Sequence, residues 1–156
     1  MRLYLVRHGE AVAEEQAGSD RDRWLNARGR EQVRGLAKLL RETGVVPALI
    51  VSSPLPRAVQ TAELLGNGLD YLGELAVRRA LEPSAQPRVM LNELLSLGTD
   101  IMVVGHEPNI SALGALIVGL PSFQPFRTAQ CCGFERQQPT FLARGDLMQV
   151  VAMHRE

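Results

Sequence analysis

Short apolar runs rich in branched side chains alternate with longer helical stretches along this chain of 156 residues. Strands alternating with helices favour an α/β fold with a mostly parallel sheet and helices on both faces. We therefore expect one domain over residues 1–156, a three-layer sandwich with about six strands and no large lid insertion. The predicted strands are Arg2–Val6, Leu49–Val51, Leu75–Val77, Ile101–Val104, Gln130–Glu135 and Met148–Met153.

Helical spacing of apolar residues predicts four helices between these strands. Ala27–Glu42 places Val33, Leu36, Leu39 and Leu40 on one face. Asn26 is the predicted N-cap of that helix, and Gly44 lies just past its end. The other helices are predicted at about Leu55–Leu65, at Pro87–Leu97, and from Pro108 as a first-turn proline to just before Gly119. The polar segment Glu10–Arg23 is predicted to be a loop at the rim of the sheet.

Composition argues against several classes of partner. Lys plus Arg and Asp plus Glu both number 17, so no overall basic field favours nucleic acid or an anionic membrane. The apolar run before Arg7 is too short for a signal peptide, and no apolar stretch is long enough to span a membrane. Cys131 and Cys132 are adjacent and cannot form an ordinary disulfide with each other. We expect a cytoplasmic protein.

Three polar segments directly follow predicted strands: Arg7-His8-Gly9, Ser52-Ser53-Pro54 and Gly105-His106-Glu107. The carboxyl ends of parallel strands meet at one edge of a sheet, where ligands bind in such folds. A neutral imidazole is a good nucleophile, and a neighbouring guanidinium lowers its pKa and attracts an anion. Arg57 lies in the first turn of the helix after the serine pair, where backbone N–H groups, the helix dipole and a guanidinium favour phosphate.

Each of these residues also has a structural interpretation. An isolated His8 or His106 is commonly a hydrogen-bonded structural histidine, and Arg57 alone is commonly a solvated helix charge. Arg7 could pair with Glu10 or Glu31. A metal held by the two histidines is disfavoured because no third residue near them has ligand-like spacing.

Three motifs in order resemble the histidine phosphatase superfamily. They are Leu5-Val6-Arg7-His8-Gly9-Glu10, then Ser52-Ser53-Pro54-Leu55-Pro56-Arg57-Ala58-Val59-Gln60-Thr61-Ala62, then Val104-Gly105-His106-Glu107-Pro108. The segment Leu25-Asn26-Ala27-Arg28-Gly29 is similar to the helix-starting motif of that family, with asparagine where threonine is usual. Both side chains can cap a helix.

The resemblance implies a phosphatase with a phosphohistidine intermediate on His8. Arg7 and Arg57 would clamp the phosphoryl oxygens, His106 would donate to the same group, and Gly9 would belong to the substrate-binding residues. Guanidinium and imidazolium groups would replace a metal, so no cofactor is implied. Glu82 is the candidate general acid, and Glu10 is a weaker alternative.

The short chain leaves few residues for a lid and is similar to SixA-type phosphohistidine phosphatases. That similarity implies a phosphorylated protein as substrate. The alternatives are a small-molecule phosphomonoesterase of the same superfamily, acting on a phosphorylated metabolite, and a non-catalytic phosphate-binding module. We expect a monomer or weak homodimer. Gly119–Arg127 could line the groove or a subunit contact, although a packed loop is the simpler interpretation.

Overall fold

Seven strands and five α-helices make up the computed structural model, which describes residues 2–135, 138–142 and 150–152. The strands are β1 (Arg2–Arg7), β2 (Leu49–Ser52), β3 (Ala76–Val77), β4 (Ile101–Gly105), β5 (Cys131–Glu135), β6 (Gln138–Leu142) and β7 (Val150–Ala152). The helices are α1 (Glu14–Ala17), α2 (Ala27–Glu42), α3 (Pro56–Gly68), α4 (Pro87–Leu95) and α5 (Asn109–Val118), with a 3-10 helix at Arg79–Leu81.

The strands form one sheet in the order β3-β2-β4-β1-β5-β6-β7. The first four in that order are parallel, and β5, β6 and β7 extend the sheet by antiparallel pairing. This confirms the α/β fold class, with seven described strands rather than about six. Strand β6 was not predicted. Of the strand predicted at Met148–Met153, only Val150–Ala152 is among the described residues.

The two faces of the sheet carry separate apolar layers. Along β4, Met102 and Val104 pack with α2 and α3, whereas Ile101 and Val103 pack with α4 and α5. Successive side chains of a strand point to opposite faces, so one buried strand serves both layers. Cys131 and Cys132 on β5 divide between the layers in the same way. The predicted helix–sheet–helix sandwich is confirmed.

Helix α2 has the predicted bounds, and Asn26 caps it by accepting a hydrogen bond from the Gly29 N–H at 2.7 Å. Helix α3 continues to Gly68, three residues past the predicted end at Leu65, and the short helix α1 lies within the segment Glu10–Arg23 that was predicted to be a loop. The bounds of two further helices also differ from the prediction. Helix α5 begins at Asn109 because Pro108 takes the N-cap position, and α4 ends at Leu95, two residues before Leu97. Among the described residues, no helix has both the length and the apolar character needed to cross a membrane.

Candidate active site

Hydrogen bonding between β1 and β4 brings two histidines together. Arg7 is in register with Gly105, and the His8 N–H donates to the Gly105 carbonyl at 3.2 Å. His8 and His106 therefore follow neighbouring strands at the same edge of the sheet. Their ring centroids are 5.2 Å apart, and both side chains are buried.

His8 has the tautomer that a nucleophile needs. Its Nδ1 lies 2.7 Å from the Gly9 carbonyl oxygen. A carbonyl only accepts, so Nδ1 carries the hydrogen and Nε2 keeps its lone pair. Burial lowers the pKa of His8 to about 4, and Arg57 and Arg7 add to that effect. Sequence reasoning attributed the lowered pKa to the guanidinium, but burial is the larger cause.

Gly9 lies where the end of β1 packs closely against α2. A Cβ atom there would be 2.8 Å from the Gly29 carbonyl oxygen and 2.9 Å from Val33 Cγ2, so only glycine fits without a shift. The Gly9 N–H donates to Thr61 Oγ1 at 3.1 Å, and that hydroxyl donates to the Arg57 carbonyl at 2.7 Å. Thr61 thus links the His8 turn to helix α3. A substrate contact from Gly9 stays a prediction.

Ser53 orients His106. Its hydroxyl lies 2.8 Å from His106 Nε2 and accepts a hydrogen bond from the Leu55 N–H at 3.2 Å. The hydroxyl can also donate, so the contact is compatible with the tautomer in which Ser53 donates to Nε2 and Nδ1 of His106 carries the ring hydrogen. Burial lowers the pKa of His106 to about 3, and the nearby charges of His8 and Arg57 act in the same direction. His106 is thus a neutral imidazole in the free protein, not an imidazolium.

Both predicted arginines are held through terminal nitrogens of the guanidinium group. Arg7 Nη1 donates to the Phe126 carbonyl at 2.8 Å. Arg57 Nη1 donates to the Asp20 carbonyl at 2.7 Å, and its Nη2 lies 3.3 Å from Asp20 Oδ2. Burial lowers the pKa of both arginines, while Glu107 beside Arg7 and Asp20 beside Arg57 oppose that shift.

We refer to Arg7, His8, Arg57 and His106 together as the cluster. Three of its buried nitrogen atoms have no hydrogen-bond partner: Arg7 Nε, Arg57 Nε and His106 Nδ1. Buried polar groups are nearly always satisfied, so each such atom needs an explanation. These three come from β1, α3 and the end of β4, and the charges of both arginines act on both histidines. The cluster is therefore suited to an anionic guest with several acceptor oxygens.

The segment before α2 contributes two residues that sequence reasoning missed. Asp20 pairs with Arg57, and Arg23 Nη1 donates to Asp20 Oδ1 at 3.2 Å. Arg23 is held in turn by a 2.7 Å hydrogen bond from its Nε to the Val12 carbonyl. Alternating charges in a polar loop carry no sequence signal that would separate a site residue from a solvated one.

The predicted carboxylates pair with arginines other than Arg7 and Arg57. Glu82 follows the 3-10 helix, and its Oε2 is 3.4 Å from Arg21 Nη1. Glu10 Oε2 lies 3.5 Å from Arg28 Nε, and Glu31 pairs with Arg34. The suggested pairing of Arg7 with Glu10 or Glu31 is thus not found. Glu82 is linked to the surroundings of the cluster through Arg21 and through its own carbonyl, which accepts a hydrogen bond from Asn109 Nδ2 at 3.1 Å.

The loop Gly119–Arg127 is anchored by its two phenylalanines, while most of its other residues are exposed, so the predicted packed loop is found only in part. Phe126 is buried, and Phe123 lies with its ring centroid 6.3 Å from that of Phe126 and 5.8 Å from that of Phe134. The Phe126 carbonyl holds Arg7, so the loop also positions a site residue. In the part of the chain that the structure describes, no group of three or more His, Cys, Asp or Glu side chains is placed to hold a metal ion.

A phosphoryl group is the anion for which a buried neutral imidazole, two guanidiniums and a further N–H donor are best suited. The family model described as histidine phosphatase superfamily (branch 1) matches residues 3–82, and the chain belongs to this superfamily. That membership supports phosphatase activity. The matched range ends before His106, so the inclusion of this residue in the site rests on geometry.

Individual relatives agree with this placement. The chain is 30% identical over 118 residues to an uncharacterized protein of Picosynechococcus sp., covering 70% of this chain and 68% of that protein. It is 29% identical over 119 residues to the phosphohistidine phosphatase SixA of Escherichia coli, covering 74% and 73% of the two chains. A solved structure of the protein histidine phosphatase SixA complexed with tungstate matches with a TM-score of 0.85 and 24% identity, covering 96% of this chain and all of that one. The resemblance predicted from the motifs is confirmed.

Proposed function

We propose that the protein hydrolyses phosphohistidine on a protein substrate, through a phosphohistidine intermediate on His8 and without a metal. The observation that carries this proposal is the set of three unpartnered buried donors, Arg7 Nε, Arg57 Nε and His106 Nδ1, around a neutral His8. A phosphoryl group offers three equatorial oxygens, and it would satisfy donors that otherwise lose hydrogen bonds on burial.

In the first step His8 Nε2 attacks phosphorus in line with the leaving nitrogen. The Nε2–P bond forms as the P–N bond of the substrate breaks, and the bonding electron pair leaves with the substrate imidazole. Arg7 and Arg57 stabilise the charge on the equatorial oxygens, and His106 donates one hydrogen bond from Nδ1. His106 needs no positive charge for this, because its neutral tautomer carries the required hydrogen.

In the second step water attacks the phosphorylated His8. The new O–P bond forms as the Nε2–P bond breaks, the electron pair returns to Nε2, and both hydrogens of the water leave on the product as dihydrogen phosphate. Throughout, the Gly9 carbonyl holds the hydrogen on Nδ1, so His8 leaves as a neutral imidazole rather than an anion. The 2.7 Å hydrogen bond between His8 Nδ1 and the Gly9 carbonyl therefore assists His8 as the nucleophile of the first step and as the leaving group of the second.

The state of Glu82 favours a phosphoramidate over a phosphomonoester. Its carboxylate Oε2 lies 3.4 Å from Arg21 Nη1, so Glu82 is engaged by a residue outside the phosphate-binding cluster. An alkoxide leaving group needs a proton from a general acid, whereas a protonated imidazole does not. The connection between α3 and β3 contains only residues 69–75, which leaves little chain there for a lid. A site without a lid suits a bulky substrate such as a phosphorylated protein.

The test is to incubate the protein with a histidine-phosphorylated protein and follow both phosphate release and labelling. We expect release of inorganic phosphate and an acid-labile, base-stable label that is absent from His8→Ala. Turnover should persist in EDTA. No label and no release from any phosphorylated donor would instead favour a non-catalytic phosphate-binding module.

Glu82→Gln separates the substrate classes. We expect it to retain turnover of phosphohistidine, because the leaving imidazole carries its own proton. Equal large losses on phosphohistidine and on an alkyl phosphomonoester would contradict the preference for a phosphoramidate. Cytoplasmic localisation and a monomeric or weakly dimeric state stay predictions.

A further inference from the structure

Asp20 lies on the solvent side of the phosphate-clamping arginine. The Arg57 side chain is 5% exposed and the Asp20 side chain is 56% exposed, although two contacts join them. An in-line attack by the buried His8 requires the leaving group on the opposite, outer side of phosphorus. A leaving group entering from solvent therefore meets the surface on which Asp20 lies.

Glu107 and Glu82 have partners other than Arg7 and Arg57, whereas Asp20 contacts Arg57 directly. Glu107 accepts from the Ser111 N–H at 3.1 Å and from the Ser111 hydroxyl at 2.8 Å, so both its oxygens serve the first turn of α5. Glu82 is paired with Arg21. Asp20 uses one oxygen for Arg23 and the other for Arg57, which leaves lone pairs on the exposed side of each.

We propose that Asp20 is a specificity-determining residue that accepts a hydrogen bond from the leaving imidazole of a phosphohistidine, at the ring nitrogen that does not carry phosphorus. This inference rests on the proposed function. With the outer nitrogen protonated, the substrate ring is a phosphoimidazolium cation. When the P–N bond breaks, its electron pair neutralises that cation, and a neutral imidazole departs with its N–H still hydrogen-bonded to Asp20.

Arg23 makes Asp20 suited to this role and unsuited to proton donation. The hydrogen bond from Arg23, together with the charge of Arg57, holds the pKa of the Asp20 carboxyl below its usual range. An ionised carboxylate stabilises a protonated ring and repels an anionic leaving group such as a phenolate. Asp20 therefore favours cationic leaving groups. Arg7 and Arg57 cannot do so, because they are cations themselves.

The experiment compares Asp20→Asn with Asp22→Asn on two substrates, phosphoimidazole and 4-nitrophenyl phosphate. Asp22 is the matched control, because it lies in the same exposed segment, removes the same charge and contacts Ser19 rather than the site. We expect Asp20→Asn to lower kcat/KM for phosphoimidazole by about 10-fold or more, as for loss of a hydrogen bond to a charged group. Turnover of 4-nitrophenyl phosphate should fall by less than that of phosphoimidazole, because the contact of Asp20 with Arg57 serves both substrates whereas the proposed hydrogen bond serves only phosphoimidazole. Asp22→Asn should match the wild type on both substrates.

Two results would overturn the inference. Equal losses on both substrates would mean that Asp20 acts only by positioning Arg57, and equal behaviour of the two variants would mean that it has no role. Asp20→Glu restores the carboxylate and should recover part of the phosphoimidazole rate, which a folding defect alone would not explain. If the wild type releases phosphate from 4-nitrophenyl phosphate but never from phosphoimidazole, the proposed function itself fails.

Discussion

The free energy of unfolding should fall as the pH is lowered from 7 to 5, because two buried imidazoles are neutral in the folded protein. Histidine in an unfolded chain has a pKa of about 6.5. Burial lowers the pKa of His8 to about 4 and that of His106 to about 3. The unfolded chain therefore binds protons first as the pH falls. Stability from each histidine is present above pH 6.5 and is lost progressively below it.

The magnitude follows from proton linkage. Between pH 7 and pH 5 each of His8 and His106 should cost about 2 kcal/mol of unfolding free energy. The charged groups that act on the pair are Arg7, Arg23, Arg57 and Asp20. Asp20 stays ionised in this range because its pKa is already below the usual value, and the arginines stay charged.

Urea unfolding followed by the fluorescence of the single tryptophan, Trp24, measures this change at pH 7, 6 and 5. His106→Asn and His8→Asn should each remove about 2 kcal/mol of the pH dependence while leaving the denaturant slope unchanged. His154 lies outside the described residues, and the difference between wild type and variant cancels its contribution. A pH dependence that is the same in His106→Asn as in the wild type would refute the reasoning.

Three further variants test the local structure. Gly29→Ala would place a Cβ atom against the Glu10 carbonyl, and urea unfolding should show a loss of at least about 2 kcal/mol. Asn26→Ala removes the cap of α2 and should cost about 1 kcal/mol in the same assay, with little effect if the cap is not used in solution. Thr61→Val leaves the buried Gly9 N–H without its acceptor; kcat should fall, with an unfolding cost of about 1–3 kcal/mol, whereas Thr61→Ser should retain kcat.

The sequence predicts the parallel part of the fold well because local signals and tertiary packing agree there. Helix α2 has a polar cap at Asn26 and a clear apolar stripe, and its bounds match the structure. Strand β6 gives no such agreement. It contains Pro139, which is paired with Phe134 in the ladder, and proline within an apolar run argues against a strand.

The proximity of the four residues predicted for the site follows from the sequence, because each ends or directly follows a strand or lies in the first turn of a helix. Arg7, His8, Arg57 and His106 occupy those positions whatever the loops do. Asp20 and Arg23 were not predictable, because their places depend on how a polar segment folds over the sheet edge. Glu82 was also predicted from its position in the sequence; its carboxylate pairs with Arg21, and its role as a general acid stays a prediction.

The distance between the imidazole rings of His8 and His106 depends on the pairing of β1 with β4 rather than on the surrounding loops. Adjacent strands lie about 4.8 Å apart, and the 5.2 Å between the rings of His8 and His106 is close to that value. Insertions or deletions in the surrounding loops can therefore change which molecules enter while the two rings keep their separation. A protein with this arrangement can acquire new substrates through changes in the loops at the sheet edge while the two histidines keep their positions.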